Sequence, residues 1–182
     1  MSAQTLNKIA EEQADWITEM GWARNLPMED IGLIGSEVGE AINECRGDTL
    51  GTGLAEELAD IVLRTLGLAH RSGIDIDHSL RNEVGVGEQC AVQAYADFLS
   101  GRDLYAVRTE SPLQALSPIL IPVGSAVHRL EIGLSVDEIA PHLAEIIIRT
   151  LVAANALGVD LDRAIAAKMQ KNFANGSRSR IR

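Results

Sequence analysis

Four acidic residues are spaced so that two packed helices would bring them together. Glu37 and Glu40 lie three residues apart, and so do Glu57 and Asp60. Residues three apart on a helix share one face at about 5 to 6 Å, so each pair presents two carboxylates to a common point. Two such helices packed antiparallel would suit Mg²⁺, which takes oxygen ligands and shares them with substrate phosphates in nucleotide enzymes. The alternative is that both acidic pairs are solvated helix faces.

The elements that must position these pairs are predicted to be helices. The chain of 182 residues is 46% hydrophobic but only 3% aromatic, so its core is built from Leu, Ile, Val and Ala, as in close-packed helices. Helical periodicity predicts a first helix over about 3–20, a second from Pro27 and a third from about Leu54 to Ser72. A short fourth helix runs to Leu80. The predicted fold class is therefore an all-α helical bundle.

Charge and composition limit the partners of this chain. It carries 16 basic and 26 acidic residues, a formal net charge of -10, which opposes binding to nucleic acid. No stretch approaches the roughly 18 apolar residues of a membrane span, and no basic region followed by an apolar run opens the sequence. Cys45 and Cys90 lack the spacing of a metal site or a disulfide framework. We predict a cytoplasmic protein without membrane contact.

The helical plan is repeated along the chain. The segment from Glu57 to Leu66 aligns with residues 142–151, and Gly73-Ile74-Asp75 aligns with residues 158–160 at the same spacing of 85. This pattern predicts a tandem duplication, with repeats at residues 1–87 and 88–182 and a junction at residues 85–87. In one chain the two repeats would form a pseudo-dimer.

The acidic residues differ between the two repeats. The positions of Glu37, Glu40, Glu57 and Asp60 are occupied in the second repeat by Ala126, Arg129, His142 and Glu145. The second repeat carries a basic segment instead, with Lys168, Lys171 and Asn172 on one helical face. We therefore predict one composite site per chain, acidic on one side and basic on the other. The alternative for the basic segment is an ordinary helix C-terminus.

These motifs resemble those of the MazG-like all-α nucleoside triphosphate pyrophosphohydrolases, a superfamily that includes dimeric dUTPases, dCTPases and phosphoribosyl-ATP pyrophosphohydrolase. The family pattern is Glu-Glu-x-x-Glu on one helix followed by Glu-x-x-Asp on the next. Ser36 stands at the first position here, and the other four are Glu37, Glu40, Glu57 and Asp60. The lead-in at residues 22–31 and the segment at residues 168–172 are also similar to family features.

The resemblance implies Mg²⁺-dependent hydrolysis, with Mn²⁺ as a possible substitute, of a nucleoside triphosphate between its α and β phosphates. Glu37, Glu40, Glu57 and Asp60 would hold the metal, and Glu37 or Glu40 would activate the attacking water. The remaining predicted substrate contacts are Lys168 and Lys171 with phosphate, Asn172 with phosphate or sugar, and Trp16 and Trp22 with the base. A homodimer of fused chains also remains open.

Several alternatives accompany this hypothesis. The protein could be a non-catalytic nucleotide sensor or a helical interaction module, or a phosphoribosyl-ATP pyrophosphohydrolase of histidine synthesis. Trp16 shares its apolar stripe with Gln13, so it could be a core anchor and not a base platform. Glu44 and Glu56 are predicted to be solvent-exposed. Arg64 recurs as Arg149 in the second repeat, which suggests a structural pairing across the two repeats.

Overall fold

The computed structural model describes residues 5–21, 26–45, 50–84 and 111–175, and every regular element in these ranges is helical. The predicted all-α fold class is thus confirmed. Two short 3-10 helices, Ser117–Ile119 and Val136–Ile139, precede longer helices. The predicted repeat junction at residues 85–87 lies outside the described ranges. The helices are α1 (Leu6–Glu19), α2 (Pro27–Asn43), α3 (Leu54–Arg71), α4 (Ile76–Val84), α5 (Pro112–Leu116), α6 (Leu120–Glu131), α7 (Ala140–Ala156) and α8 (Leu161–Asn175).

Local signals account for where these helices begin and end. Pro27 occupies the first turn of α2, where its missing N–H would have had no intrahelical partner. Both α3 and α7 are followed by a glycine with positive φ, 71° at Gly73 and 69° at Gly158. The next backbone N–H returns to the helix end in both cases, at 2.9 Å after Gly73 and 2.8 Å after Gly158. Two aligned positions of the sequence therefore adopt the same helix-ending conformation.

A closed ring of four helices forms the bundle: α2 packs on α3, α3 on α7, α7 on α6, and α6 back on α2. Their apolar stripes meet in one continuous core of aliphatic side chains. The apolar stripe of α2 is buried at Ile31, Ile34, Val38 and Ala41. Such close packing follows from the small aromatic content, since Leu, Ile, Val and Ala interdigitate without large rings.

The outer helices bring distant parts of the sequence to the acidic helices. Both α1 and α8 pack on α3, whereas α4 packs on α7. The basic segment of α8 is thereby placed beside the acidic residues of α3, more than 100 positions earlier in the chain. This arrangement positions the candidate site.

The loop between α2 and α3 is held by Glu44, which the sequence predicted to be solvent-exposed. Its side chain is half-buried, and Oε2 accepts a hydrogen bond of 2.9 Å from the backbone N–H of Gly53. A Cβ atom at Gly51 would lie only 2.1 Å from the same oxygen, so glycine is required for this approach. Glu44 therefore ties the end of α2 to the start of α3.

One segment, Val136–Ala156, is long and apolar enough to cross a membrane by length and composition. Most of it is buried inside the bundle, where it forms the core helix α7 and the short helix before it. Burial of this kind is expected of a core helix in a soluble protein, so the segment is weak evidence for a membrane span.

Candidate metal centre and the cavity beside it

Three carboxylates from α2 and α3 converge at one point. Glu37 and Glu40 lie on α2 and Glu57 lies on α3, and one carboxylate oxygen from each falls within 4.8 Å of the others. Glu37 is buried, Glu57 is half-buried and Glu40 is exposed. Among the described residues, this acidic cluster comprises these three side chains and leaves out Asp60.

A single arginine offsets part of the negative charge in the acidic cluster. Arg64, two turns after Glu57 on α3, donates its Nε–H to Oε1 of Glu37 at 2.6 Å. The Glu37 side chain is 8% exposed and that of Arg64 is 40% exposed, so the carboxylate is largely removed from water. A buried carboxylate requires such a partner, because an uncompensated buried charge is strongly destabilising.

The predicted pairing of Arg64 and Arg149 across the two repeats is wrong. Arg64 pairs with Glu37 of α2, and Arg149 donates to Glu145 one turn earlier on its own helix, at 2.6 Å. Each arginine finds a carboxylate within its own repeat, because an acidic residue lies within reach on the same helix or on its immediate neighbour.

Crowding changes the protonation of Glu57. Burial, followed by the charges of Glu37, Glu40 and Asp60, raises the pKa of Glu57 to about 7, and a hydrogen bond to Glu37 acts in the same direction. Three carboxylates at this separation cannot all ionise without cost in the absence of a cation. Near neutral pH a proton on Glu57 therefore neutralises part of the negative charge that a bound divalent cation would otherwise neutralise.

Because folded Glu57 keeps its proton to a higher pH than unfolded Glu57, we expect the stability of the metal-free protein to depend on pH. Unfolded Glu57 ionises near pH 4.5, whereas folded Glu57 keeps its proton to about pH 7. Its contribution to stability is thus fully present below pH 4.5 and is lost as the pH rises through 7, because the folded state binds more protons in this window. We expect Glu57→Gln to remove this part of the slope in urea unfolding measured from pH 4 to 8 with a chelator.

The difference between variant and wild type isolates Glu57. Asp60 and Asp77 also have raised pKa values caused by burial, but both groups are present in both proteins. The exposed Glu131 supplies a matched control, and Glu131→Gln is expected to keep the wild-type slope. An unchanged slope in Glu57→Gln would contradict the assignment of this proton.

Asp60 is held apart from the acidic cluster by a lysine. Its Oδ2 lies 2.5 Å from Nζ of Lys168, which reaches across from α8. Burial raises the pKa of Asp60, and the contact with Lys168 opposes that increase. Burial would lower the pKa of Lys168, but Asp60 and Glu56 together raise it. The predicted metal ligand Asp60 is thus an ion-pair partner of a predicted substrate ligand.

Glu56 joins the two lysines of α8. Its Oε1 lies 2.7 Å from Nζ of Lys168 and 2.5 Å from Nζ of Lys171. These contacts lower the pKa of Glu56. Glu56 is therefore half-buried in the contact between α3 and α8, whereas the sequence predicted an exposed side chain. Two ammonium groups thus share one carboxylate oxygen, and Lys168 also contacts Asp60, so the two lysines are balanced by two carboxylates.

A cavity of about 270 Å³ opens between α1, α2, α3 and α8. It lies next to the acidic cluster, because Arg64 both lines the cavity and binds Glu37. Three cationic side chains face two carboxylates in its wall, although the whole chain is acidic. The lining residues are Gln13, Trp16, Ile17, Asp30, Asp60, Leu63, Arg64, Arg71, Lys168 and Asn172.

Two polar atoms in this wall lack a hydrogen-bond partner within the described part of the chain. They are Oε1 of Gln13 and Nη1 of Arg71, and both are buried. Arg71 uses its other terminal nitrogen, Nη2, to bind Asp30 at the start of α2. Buried polar atoms are costly when unpaired, so this wall offers one acceptor and one donor to a ligand.

The predicted substrate-binding residues lie in different places. Asn172 and Trp16 both line the cavity, but Trp16 is buried and its ring packs edge-on against Phe173, with centroids 6.2 Å apart. Trp16 is therefore a packed anchor whose side chain also forms part of a cavity wall, and its contact with a base stays a prediction. Lys171 lies outside this lining, and Trp22 lies outside the described residues.

Sequence reasoning missed four residues of this site. Arg64 was noted only as a repeated position, while Asp30 and Arg71 gave no signal because their contact depends on how α2 and α3 pack. Gln13 did leave a signal, since it is a polar residue in the apolar stripe of α1 and is only 6% exposed. A polar side chain in a buried stripe requires a partner, which a ligand can supply.

The corresponding region of the second repeat has a different chemistry. Burial and the charge of Arg129 lower the pKa of His142, whereas Glu145 opposes this shift. Glu145 itself is bound to Arg149. Among the described residues, the cluster of three carboxylates lies on α2 and α3, and the aligned positions Arg129, His142 and Glu145 form no such cluster.

Comparisons with protein-family models, with curated protein sequences and with solved structures find no match to this chain.

Proposed function

We propose that this protein is a Mg²⁺-dependent pyrophosphohydrolase that cleaves a nucleoside triphosphate to the monophosphate and pyrophosphate. The observation that carries the proposal is the convergence of Glu37, Glu40 and Glu57 beside a cavity whose lining includes three cationic side chains. A housecleaning role or control of the deoxynucleotide pool would follow from such an activity.

The residues present fit a hard divalent cation. All three side chains offer carboxylate oxygens, which Mg²⁺ and Mn²⁺ prefer. Arg64 is the cation that binds the buried Glu37. Burial, and then the neighbouring carboxylates, raise the pKa of Glu57 to about 7, which supports a site that gains from an added positive charge. A divalent ion bound there would neutralise phosphate charge and lower the pKa of water.

The contacts of Glu37 and Glu40 suggest which of these two residues accepts a proton in the reaction. A water oxygen would form a bond to the α phosphorus, the bond from that phosphorus to the bridging oxygen would break, and pyrophosphate would leave. Glu37 is already occupied by Arg64, whereas Glu40 is exposed and its nearest described contact is the Ser36 hydroxyl at 3.5 Å. We therefore assign the acceptance of the water proton to Glu40.

The cavity supports binding of the nucleoside part. Its volume of about 270 Å³ is in keeping with a base and sugar bound close to the acidic cluster. Trp16 and Leu63 supply apolar surface, and Gln13 and Arg71 supply unpaired polar atoms that a base edge can satisfy. Lys168 and Lys171 would then meet the phosphates.

The helix packing supports two MazG-like repeats arranged as a pseudo-dimer. The last helix described for each repeat packs on the central helix of the other, α4 on α7 and α8 on α3. In this reading the site is composite, with carboxylates from residues 1–87 and lysines from residues 88–182. Exposed Leu120 and Ile121 on α6 leave a surface for pairing of two chains.

A nucleotide screen tests the proposed function. Purified protein is incubated with the common and the damaged nucleoside triphosphates, with Mg²⁺, with Mn²⁺ or with a chelator, and pyrophosphate release is measured. We expect release from at least one nucleotide, and only with metal. Nucleotide binding without turnover in every case would favour the alternative of a non-catalytic sensor.

Gln13 supplies a further prediction. We expect Gln13→Leu to raise the free energy of unfolding by about 1 kcal/mol, because it removes a buried and unpaired carbonyl oxygen. The same change should lower kcat/KM about tenfold through the loss of one hydrogen bond to substrate. Chemical unfolding and steady-state kinetics measure the two effects.

Gln170 on α8 offers a matched control for Gln13, because it is exposed. Gln170→Leu is expected to change neither the free energy of unfolding nor kcat/KM. A Gln13→Leu variant that is less stable and fully active would show that the cavity has no polar contact with substrate through Gln13.

A further inference from the structure

Lys168 occupies the boundary between the acidic cluster and the cavities. Its side chain is only 14% exposed, and its Nζ contacts Oδ2 of Asp60 at 2.5 Å and Oε1 of Glu56 at 2.7 Å. Lys168 lines the cavity of about 270 Å³ and also a second cavity of about 220 Å³, whose lining includes Thr52 and Lys171. A ligand that reached both cavities would meet this ammonium group.

Asp60 has the right position on α3 to serve the same centre as Glu57. The two residues are three apart on one helix face, yet Asp60 is not among the three carboxylates that meet within 4.8 Å. Instead its carboxylate is paired with Lys168 across the interface of α3 and α8. Lys168 and a bound cation would therefore compete for one carboxylate.

An anionic ligand would change this competition. Lys168 and Lys171 together face two carboxylates, Glu56 and Asp60, and phosphate oxygens can replace either carboxylate as partners of an ammonium group. A ligand shifts such an equilibrium only by its differential affinity for the two arrangements. Phosphate binds Lys168 better in the arrangement in which Asp60 no longer holds the ammonium group, and this difference in affinity favours release of Asp60.

We propose that Lys168 is a positioning residue that withholds Asp60 from the cation until phosphate binds. Phosphate takes the ammonium group, and Asp60 then joins Glu37, Glu40 and Glu57 as a ligand. This role rests on the proposed function, since it presupposes a cation site at the acidic cluster. Phosphate and metal therefore strengthen each other's binding by the same factor.

Titration of the protein with Mn²⁺, followed by the electron paramagnetic resonance of the free ion, tests this role without any turnover. We expect Lys168→Met to bind Mn²⁺ at least about fivefold more tightly than the wild type, the lower end of typical coupling between sites. Lys168→Arg keeps a cation against Asp60 and should keep the wild-type affinity. Equal affinity of the wild type and Lys168→Met would overturn the proposed role.

A double-mutant cycle separates this role from a general effect of charge. Loss of any nearby cation strengthens Mn²⁺ binding to an acidic site, whether or not Asp60 becomes a ligand. We therefore expect Lys168→Met to tighten Mn²⁺ binding much less in an Asp60→Asn background than in the wild type, and the cycle measures this difference. If Lys168→Met tightens Mn²⁺ binding equally with and without Asp60, Lys168 acts only by repelling the cation. That result would overturn the proposal.

A control variant and the addition of phosphate complete the test. Lys171→Met removes a cation whose described ion pair is with Glu56, so its Mn²⁺ affinity should stay near the wild-type value. Inorganic phosphate, a weak chelator, should tighten Mn²⁺ binding to the wild type and leave Lys168→Met unchanged. If no variant binds Mn²⁺, the metal centre of the proposed function fails; if all bind it equally, the role of Lys168 alone fails.

Discussion

Glu40→Gln is expected to lower kcat for pyrophosphate release by between about 10² and 10⁴-fold, the range for loss of a group that accepts a proton in the transition state. Glu40 is exposed and contributes no described ion pair, so its replacement removes a proton acceptor and a metal ligand without disturbing the core. The measurement is the rate of pyrophosphate release at saturating nucleotide and Mg²⁺.

Glu131→Gln provides the matched control for Glu40, because Glu131 is another exposed glutamate on a bundle helix and lies outside the acidic cluster. This variant should retain wild-type kcat. A Glu40→Gln variant with more than about a tenth of the wild-type rate would exclude a chemical role for Glu40, given the size of acid–base contributions.

Arg64→Met should have the largest effect on stability among the site variants. Loss of one partner from a buried ion pair costs about 3 to 5 kcal/mol. Arg64 is 40% exposed, so solvent screening reduces the expected loss to about 2 kcal/mol. Glu37 then faces Glu40 and Glu57 without its cation, and thermal unfolding with a chelator should show a fall in Tm of about 4 to 8 °C.

Mg²⁺ should restore most of the stability lost in Arg64→Met, because a divalent ion supplies the missing positive charge to the acidic cluster. The equivalent variant of the second repeat, Arg149→Met, breaks a pair within one helix turn and should lose only about 0.5 kcal/mol. Mg²⁺ should not alter that smaller loss. Equal effects of the two arginines, both insensitive to Mg²⁺, would contradict a cation site beside Glu37.

The helices could be predicted because their signals are local. The buried stripe of α2 follows the period of 3.6 residues, and the ends at Pro27 and Gly73 depend on the backbone chemistry of single residues. The approach of Glu37 to Glu40 likewise follows from their spacing on one helix. Periodicity alone therefore placed two of the three carboxylates of the acidic cluster on one face of α2.

Contacts between helices could not be predicted in the same way. The pairing of Lys168 with Asp60 depends on the crossing angle and the offset of α8 along α3, which are determined by interlocking side chains over the whole interface. The same is true of Arg71 with Asp30, and of Glu56 with its two lysines. The sequence placed the basic segment opposite the acidic residues but could not show that Asp60 would be bound by it.

The cavity was the least predictable feature, because its lining comes from four helices and each contributes only one to four residues. Gln13 and Arg71 acquire their unpaired atoms only when α1 and α3 pack together. The sequence did identify Trp16 and Asn172 as candidates, and both lie in the cavity wall. Their roles toward a substrate stay predictions.

The identity of the products tests the central claim most directly. The best nucleotide from the screen is incubated with Mg²⁺, and its phosphorus products are quantified by nuclear magnetic resonance. The proposed function predicts monophosphate and pyrophosphate in equal amounts, with no cleavage in a chelator and with cleavage by Glu40→Gln slowed at least about 10²-fold. Release of inorganic phosphate and a diphosphate, or cleavage that persists without metal, would contradict it.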